Sequence, residues 1–369
     1  MCIFYAYLGY PLLIFVVAMV TNTKVSKNAC EPSVTFLITA YNEEKNIKAK
    51  LENTLDLDYP KEKMQILIVS DNSIDKTDEI IKEFEEEGVS CICLSHRVGK
   101  TEAQNRAVKI AKGEIIVFSD ADSLYNREAI RKIVRNFSDP TVGCVAGMCK
   151  YVNAAHSSIG WSTKIYWWYE LLIKSIQTRI RSLSGVSGCI YALRKDLFVP
   201  LPSDIISDFI EPMKIIEKGF RVVYEPEAIA FERTKAEAFD EFSMRVRVIS
   251  RGMAGMVYMK SILNPIKFGL VSFQIISHKI FRWLVPVFML LLFISNAFLL
   301  QETFFKFFFF FQVVFYCLGA LGYAIDVCYK KKSILSLPQY FIIVNLAAFI
   351  SLIKTLQGRK IVTWETKRS

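Results

Sequence analysis

Between Ser33 and about Phe231, short β-rich runs alternate with amphipathic helical segments, and this constrains the fold of the 369-residue chain more tightly than anything else in it. Val34–Ile38, Met64–Ser70, Val89–Leu94 and Glu114–Ser119 read as buried strands of a parallel sheet. Glu43–Asp56, Asp75–Glu87, Lys100–Ala111 and Arg127–Phe137 read as the crossover helices. Further strands are expected at Val142–Cys149, Ser184–Leu193 and Arg221–Tyr224. Strands alternating with helices specify an α/β sandwich, here a doubly wound sheet.

In such a sheet, ligands bind beyond the carboxyl ends of the strands. After the first strand comes Thr39-Ala40-Tyr41-Asn42-Glu43-Glu44, and after the second Asp71-Asn72-Ser73. Gly99-Lys100 lies beyond the third, and Asp120-Ala121-Asp122 ends the fourth. Two carboxylates separated by one residue can turn toward one divalent cation, and Mg²⁺ or Mn²⁺ bridges such oxygens to substrate phosphates. Asp-x-Asp pairs are also common on solvated turns. Here the apolar Ile115–Phe118 runs directly into the pair, where an ionised group is rarely placed without a partner. No glycine-rich phosphate loop of either common pattern occurs, which argues against dinucleotide oxidoreductases and P-loop ATPases. A metal and Lys100 would have to neutralise phosphates instead.

The rest of the chain is apolar, with many of its 28 Phe and 16 Tyr there. Ile3–Val20 is close to the minimum length of a span. It has no basic stretch before it and no small-x-small cleavage site after it, so a retained anchor is expected rather than a signal peptide. Ile280–Leu300 and Phe304–Val327 are long enough to span; Pro338–Ile353 is short for one and reads as a re-entrant or interfacial segment. Trp161–Ile180 and Phe239–Lys260 mix aromatic or Met residues with Lys and Arg, as interfacial helices do, although ordinary packed helices have the same look. No acidic residue stands between Glu241 and Glu302, yet Arg245, Arg247, Arg251, Lys260, Lys267, Lys279 and Arg282 do. Basic residues beside a span mark the cytoplasmic side, and the lipid-length neighbours exclude nucleic acid as a partner. Lys330, Lys331 and Lys332 put the second turn in the cytosol, although four full spans would carry Arg359, Lys360, Lys367 and Arg368 outside, against that rule. The nine cysteines show no metal-like spacing and read as buried, reduced thiols. The expected organisation is an anchor at 1–22, a soluble domain at 33–235, interfacial helices at 236–279, a transmembrane region at 280–355 and a basic tail at 356–369.

The ordered motifs resemble the membrane-bound family 2 glycosyltransferases, whose fold is called GT-A, over nearly the whole chain. Thr39–Glu44, including Thr39, Ala40, Tyr41 and Glu43, looks like the family's nucleotide-binding loop; Asp71 matches its base-contacting aspartate, Lys100 the lysine of the next loop, and Asp120 with Asp122 its metal-binding pair. Ser187-Gly188-Cys189 with Tyr191–Arg194 resembles the acceptor-side strand. Ile206–Phe209 with Gly219–Ala228 resembles the segment carrying the catalytic base. The resemblance makes Asp208 that base, with Asp204 and Glu211 as weaker alternatives, because Ser207 stands where an acid usually precedes it. Processive members carry Gln-x-x-Arg-Trp, and here Val248 and Gly252 replace its Gln and Trp around Arg251. Arg247 and Arg251 share a helical face and could meet diphosphate or lipid headgroups.

What the resemblance implies is an integral plasma-membrane enzyme with a cytoplasmic mixed α/β catalytic domain. It would transfer a sugar, with inversion, from a nucleotide sugar, uridine-linked, to a lipid or glycan acceptor for envelope or extracellular polysaccharide. Asp208 would take the acceptor proton, and Mg²⁺ or Mn²⁺ would stabilise the departing diphosphate. Lys100 and Arg251 would add charge there. A processive synthase is the alternative. A non-catalytic binding module predicts loss of these acids, and a transporter predicts intramembrane charges beyond Lys306 and Asp326.

Overall fold

The computed structural model describes residues 1–21, 23–152, 160–233, 238–329 and 335–358. The turn at 330–332 and the tail from 359 therefore lie outside the described residues. Contacts divide the chain into two units.

One unit, Ala18–Lys150 with Lys174–Glu232, holds an eight-stranded sheet. Its strands are β1 (Val34–Ala40), β2 (Met64–Ser70), β3 (Val89–Cys93), β4 (Ile115–Asp120), β5 (Leu124–Tyr125), β6 (Val142–Val152), β7 (Tyr191–Arg194) and β8 (Arg221–Arg233). They lie in the order β3-β2-β1-β4-β7-β6-β8-β5. The first four are parallel, and the run Val34–Ala40 is buried along its whole length, as a strand covered on both faces must be. The direction then reverses, because β7 pairs antiparallel with both β4 and β6. Helices Ile47–Leu55, Thr77–Lys82, Lys100–Ile110 and Ala129–Val134 fall in the expected segments, with short 3-10 turns closing the second and fourth.

Two elements differ from expectation. Residues 184–190 form a loop and the strand begins only at Tyr191, since Ser184 donates its backbone N–H to Gln177 Oε1 at 3.1 Å and Gly185 takes φ 151°. β8 continues through Glu225-Pro226-Glu227, a polar stretch that reads as a strand end. It survives because the fully buried Glu225 is held by Lys27 (2.8 Å), Asn136 (2.9 Å) and Arg135 (3.1 Å). The four parallel strands are one half of a mixed sheet, as the resemblance implies.

The other unit gathers Met1–Val17, Tyr151–Ile173 and Arg233–Lys360. Among the described residues, four helices are long and apolar enough to cross a membrane: Cys2–Thr21, Leu270–Phe298, Thr303–Asp326 and Ser336–Leu356. The last, expected to be short, has 21 residues, about 30 Å at the α-helical rise. Leu270–Phe298 begins ten residues before the expected Ile280, so the end of the expected interfacial segment forms its first turns. The rest of that segment contains the helix Ala238–Tyr258, which packs on Ser336–Leu356 through Ser351 Oγ to Val246 O at 3.0 Å. Phe307, Phe308, Phe310, Phe311 and Leu290–Leu292 lie exposed, as side chains that face lipid tails would.

Candidate active site

The parallel register lines up the site's polar residues. Thr39 pairs with Asp120 across β1 and β4, and Ala40 pairs with Ser70, one residue before Asp71. Asn42 and Asn72 then take left-handed backbone, φ 53° and 58°, which Asn tolerates better than most residues, and both strands turn away sharply there. A cleft opens at this edge, lined by Thr39, Ala40, Tyr41, Asp71, Arg97, Gly99 and Lys100.

Asp71 is 3% exposed and spends both carboxylate oxygens on the next loop. Oδ1 accepts from Val98 N–H at 2.7 Å and Oδ2 from Gly99 N–H at 2.8 Å. Tyr41 lies under the Arg97 guanidinium, 3.9 Å from its ring centroid. Thr39 Oγ1 and Arg97 Nε are buried and have no hydrogen-bond partner among the described residues, so both are available to a ligand in the cleft. Sequence reasoning passed over Arg97. Glu43 points elsewhere: its carboxylate accepts from Asn46 Nδ2 at 2.8 Å and its N–H donates to Thr77 Oγ1 at 2.7 Å, which organises the turn into Ile47–Leu55.

Lys100 opens the helix Lys100–Ile110 and its ammonium pairs with Asp120. Burial works against that charge, but Asp120 and Asp208 outweigh it and hold the lysine pKa above its ordinary value. Asp120, Asp122 and Glu232 each offer an oxygen, all within 4.8 Å of one another. An all-oxygen set of this kind suits Mg²⁺ or Mn²⁺. Burial, then Asp122 and Asp120, push the Glu232 carboxyl upward, as expected of acids crowded without a cation. Glu232 was missed in the sequence, although it directly follows the apolar β-rich Ala228–Phe231, the same signal that singled out Asp120.

Behind this cluster lies a fully buried lysine, also missed. Lys50 Nζ donates to Ser123 O and sits 4.1 Å from the Tyr125 ring centroid and 4.9 Å from that of Phe36. Burial pulls its pKa down to about 7, with Asp120 and Asp122 opposing. Ser123 in turn donates Oγ to Glu232 Oε1 at 2.8 Å.

Asp208 occupies the first turn of the helix Ser207–Glu217, where the helix dipole favours a carboxylate. That helix is tied to the lysine helix by Ser207 Oγ to Gln104 Oε1 (2.6 Å) and Thr101 Oγ1 to Ile205 O (2.6 Å). Both charges crowd Gly188: a β-carbon there would lie 2.7 Å from Asp208 Oδ2 and 2.9 Å from Lys100 Nζ. Only a glycine leaves room for the pair. Of the alternative bases, Glu211 is buried, accepts from Tyr191 Oη at 2.8 Å, and burial followed by Asp208 raises its pKa to about 8. Arg251 is buried on Ala238–Tyr258, in the other unit, where the Trp283 ring packs 3.2 Å from where a β-carbon on Gly252 would stand.

Comparison with known proteins gives this site its setting. The family described as Glycosyl transferase family 2 matches residues 35–199. The poly-beta-1,6-N-acetyl-D-glucosamine synthase of Staphylococcus aureus (strain COL) is 31% identical over 219 residues, covering 57% of this chain and 52% of that protein. The chain thus spans about half the length of that relative. The synthase of the same name from Staphylococcus epidermidis is 25% identical over 362 residues, 90% of this chain and 86% of that protein. Among solved structures, the mannosyltransferase PcManGT from Pyrobaculum calidifontis, in complex with GDP-Man and Mn²⁺, superposes with a TM-score of 0.72 at 20% identity, covering 96% of each chain. At that identity the likeness shows the fold, which is of GT-A type.

Proposed function

We propose, from the premise that this chain carries a family 2 glycosyltransferase domain, that it transfers a sugar from a nucleotide sugar, uridine-linked, to a lipid or glycan acceptor at the plasma membrane. The catalytic domain faces the cytoplasm and the product enters envelope or extracellular polysaccharide. The observation that supports this best is the convergence of Asp120, Asp122, Glu232, Lys100 and Asp208 at one end of the sheet.

Each residue then has a task. Asp71 holds the Val98–Gly99 backbone so that Thr39, Tyr41 and Arg97 line one wall for the nucleoside. Asp120, Asp122 and Glu232 would hold Mg²⁺ or Mn²⁺, which when bound supplies positive charge to the diphosphate. Lys100 adds a fixed cation on that side. Asp208 accepts the proton of the acceptor hydroxyl, and Gly188, having no side chain, leaves room for that carboxylate beside Lys100. The acceptor oxygen bonds to the anomeric carbon on the face opposite the breaking bond, and the nucleoside diphosphate leaves, so the transfer inverts that centre.

Val248 and Gly252, standing in for Gln and Trp of the processive motif, favour addition of one or a few sugars. The second reading, a processive synthase, is favoured by the alignment with the Staphylococcus epidermidis protein along 90% of the chain. Isolated membranes incubated with labelled nucleotide sugars, with and without Mn²⁺, test both. Solvent-extractable single-sugar products support the first and a ladder the second, while no transfer from any donor rejects both. Asp208→Asn is expected to keep donor binding and lose roughly 10²–10⁴-fold in rate, the range for general-base catalysis; wild-type turnover would move the base elsewhere.

A further inference from the structure

Beyond the oxygen cluster, the reversal of strand direction gathers a second donor set. Cys149 lies on β6, Cys189 two residues before β7, and Glu232 on β8, and these three strands are neighbours in the order β7-β6-β8. The β6–β7 pairing runs past its regular register through Gly147 N–H to Ile190 O at 3.0 Å, which brings the stretch before β7 alongside Cys149. Both thiols are 2% exposed. Cys149 Sγ lies 3.3 Å from Glu232 Oε2, and one donor atom from each of the three residues falls within 4.8 Å of the others. Forty residues separate the two cysteines in sequence, so no spacing motif marks them; the sheet alone makes the set.

We propose that Cys149, Cys189 and Glu232 capture a thiophilic divalent cation, Zn²⁺ or Cd²⁺, and that capture withdraws Glu232 from Asp120 and Asp122. Two sulfurs and one carboxylate suit a soft or borderline ion, with water completing the four positions that zinc favours. The oxygen-only set suits hard Mg²⁺ or Mn²⁺. Glu232 belongs to both, so occupancy of the thiol set opposes occupancy of the oxygen set. Binding displaces the two thiol protons to solvent and leaves two thiolate–metal bonds. Strands hold two of the donors and a strand-flanking residue the third, so little backbone has to be ordered when the ion enters. The opposition between the two sets rests on the proposed metal role of Asp120 and Asp122; capture itself does not.

The test uses the full-length protein in detergent with a non-chelating reductant. Cys91→Ser and Cys93→Ser are built in as background, because those sulfurs stand 3.5 Å apart and would bind Cd²⁺ themselves. Titration with Cd²⁺ is expected to raise a sulfur-to-metal charge-transfer band at one equivalent. Cys149→Ser and Cys189→Ser should each weaken it by at least about tenfold, and Glu232→Gln should keep the band but weaken affinity by a similar factor, as loss of a ligand or its support does. A band unchanged in either cysteine variant overturns the proposal. Should those variants not fold, the background protein serves: Zn²⁺ should slow methylthiolation of Cys149 and Cys189, read by mass spectrometry, and an unaltered rate overturns the proposal equally. Mn²⁺ in excess should raise the Cd²⁺ needed for half-saturation. If the band appears and Mn²⁺ has no effect, capture stands and the sharing of Glu232 is wrong; if the protein also fails to bind Mn²⁺ at all, the reading of the oxygen cluster has failed by itself.

Discussion

Replacing Asp71 by Asn is the sharpest single test of how the nucleotide cleft is built. The carboxylate accepts two backbone N–H groups, from Val98 at 2.7 Å and Gly99 at 2.8 Å, and is 3% exposed. Asn keeps one acceptor oxygen and turns an NH₂ donor toward the other N–H. One bond to a charged acceptor, about 1.5–3 kcal/mol, is lost, and one N–H with little access to water is left unpaired at about 1–3 kcal/mol. The sum is about 2.5–6 kcal/mol, charged to the loop that carries Arg97 and leads into Lys100. If that loop has to be re-ordered when a nucleotide binds, even the lower end weakens affinity by roughly 60-fold, since about 1.4 kcal/mol is a factor of ten. Calorimetric titration with uridine and guanosine diphosphates in Mn²⁺ measures the loss. Hydrogen exchange at Val98 and Gly99 without nucleotide tells the clamp from direct base contact: the clamp predicts faster exchange in the variant, whereas a base contact alone predicts none. An Asn variant with affinity within about threefold of wild type and unchanged exchange would refute the reasoning.

Gly188→Ala puts a methyl carbon 2.7 Å from Asp208 Oδ2 and 2.9 Å from Lys100 Nζ, so one of those charges must move. Transfer should fall by ~10²-fold or more, the penalty for a misplaced base, while circular dichroism stays that of wild type; full activity would mean that the two groups are not placed for reaction. Glu211 has its carboxyl raised to about 8 by burial first and then by Asp208. A folded pKa above the unfolded value means that the native state binds the extra proton, so stability is present at acid pH and is lost as pH rises from about 5 to 8, by at most about 1.4 kcal/mol per unit. Glu211→Gln should flatten that slope in denaturant melts, and an identical slope in the variant would assign it to another group. Lys50→Met removes a cation from behind Asp120, Asp122 and Glu232; Mn²⁺ affinity, followed by the resonance of unbound Mn²⁺, should tighten by about tenfold as like-charge repulsion is relieved. A weaker site would instead make Lys50 a support for the Ser123 carbonyl.

The parts of the site legible in the sequence are those that stand immediately after an apolar strand. Thr39 is the last residue but one of β1, Asp71 directly follows β2, Asp120 ends β4, and Lys100 begins a helix after a glycine with φ 88°. Each is a polar residue next to a buried run, and that contrast is visible in one dimension. Lys50 stands at helical spacing with Ile47, Leu51 and Thr54, opposite Lys48 and Glu52, so its place on the inner face was legible, but a lysine there reads as one that reaches back to solvent. Its burial comes from Phe36 on one element and Tyr125 on another, which no local pattern links. Cys149 and Cys189 were read as inert thiols because only the β6–β7 pairing joins them. The loop at 184–190 was mistaken for strand because Val186, Cys189 and Ile190 have strand character, while the φ of Gly185 and the Gln177 bonds decide against it.

Why these groups meet follows from the one change of direction in the sheet. Along β2, β1 and β4 every strand ends at the same edge, so that edge collects the residues after each strand: Asp71, Thr39 and Asp120. The next strand, β7, is antiparallel, with Phe118 facing Tyr191, and it therefore begins where β4 ends. The segment entering β7 must then pass beside Asp120, and it is this segment that contains Gly188 and Cys189. Had β7 been parallel, its entry would lie at the opposite edge, and Asp208, whose backbone carbonyl accepts from Val186 N–H at 3.3 Å, would go with it. A parallel edge supplies backbone turns and acids suited to a diphosphate. An antiparallel neighbour adds a loop from the other half of the fold, with a base attached. Ligands bind where strand order reverses for the same geometric reason, and here a reversal of direction brings Asp208 beside Lys100, at the edge that also carries Asp120.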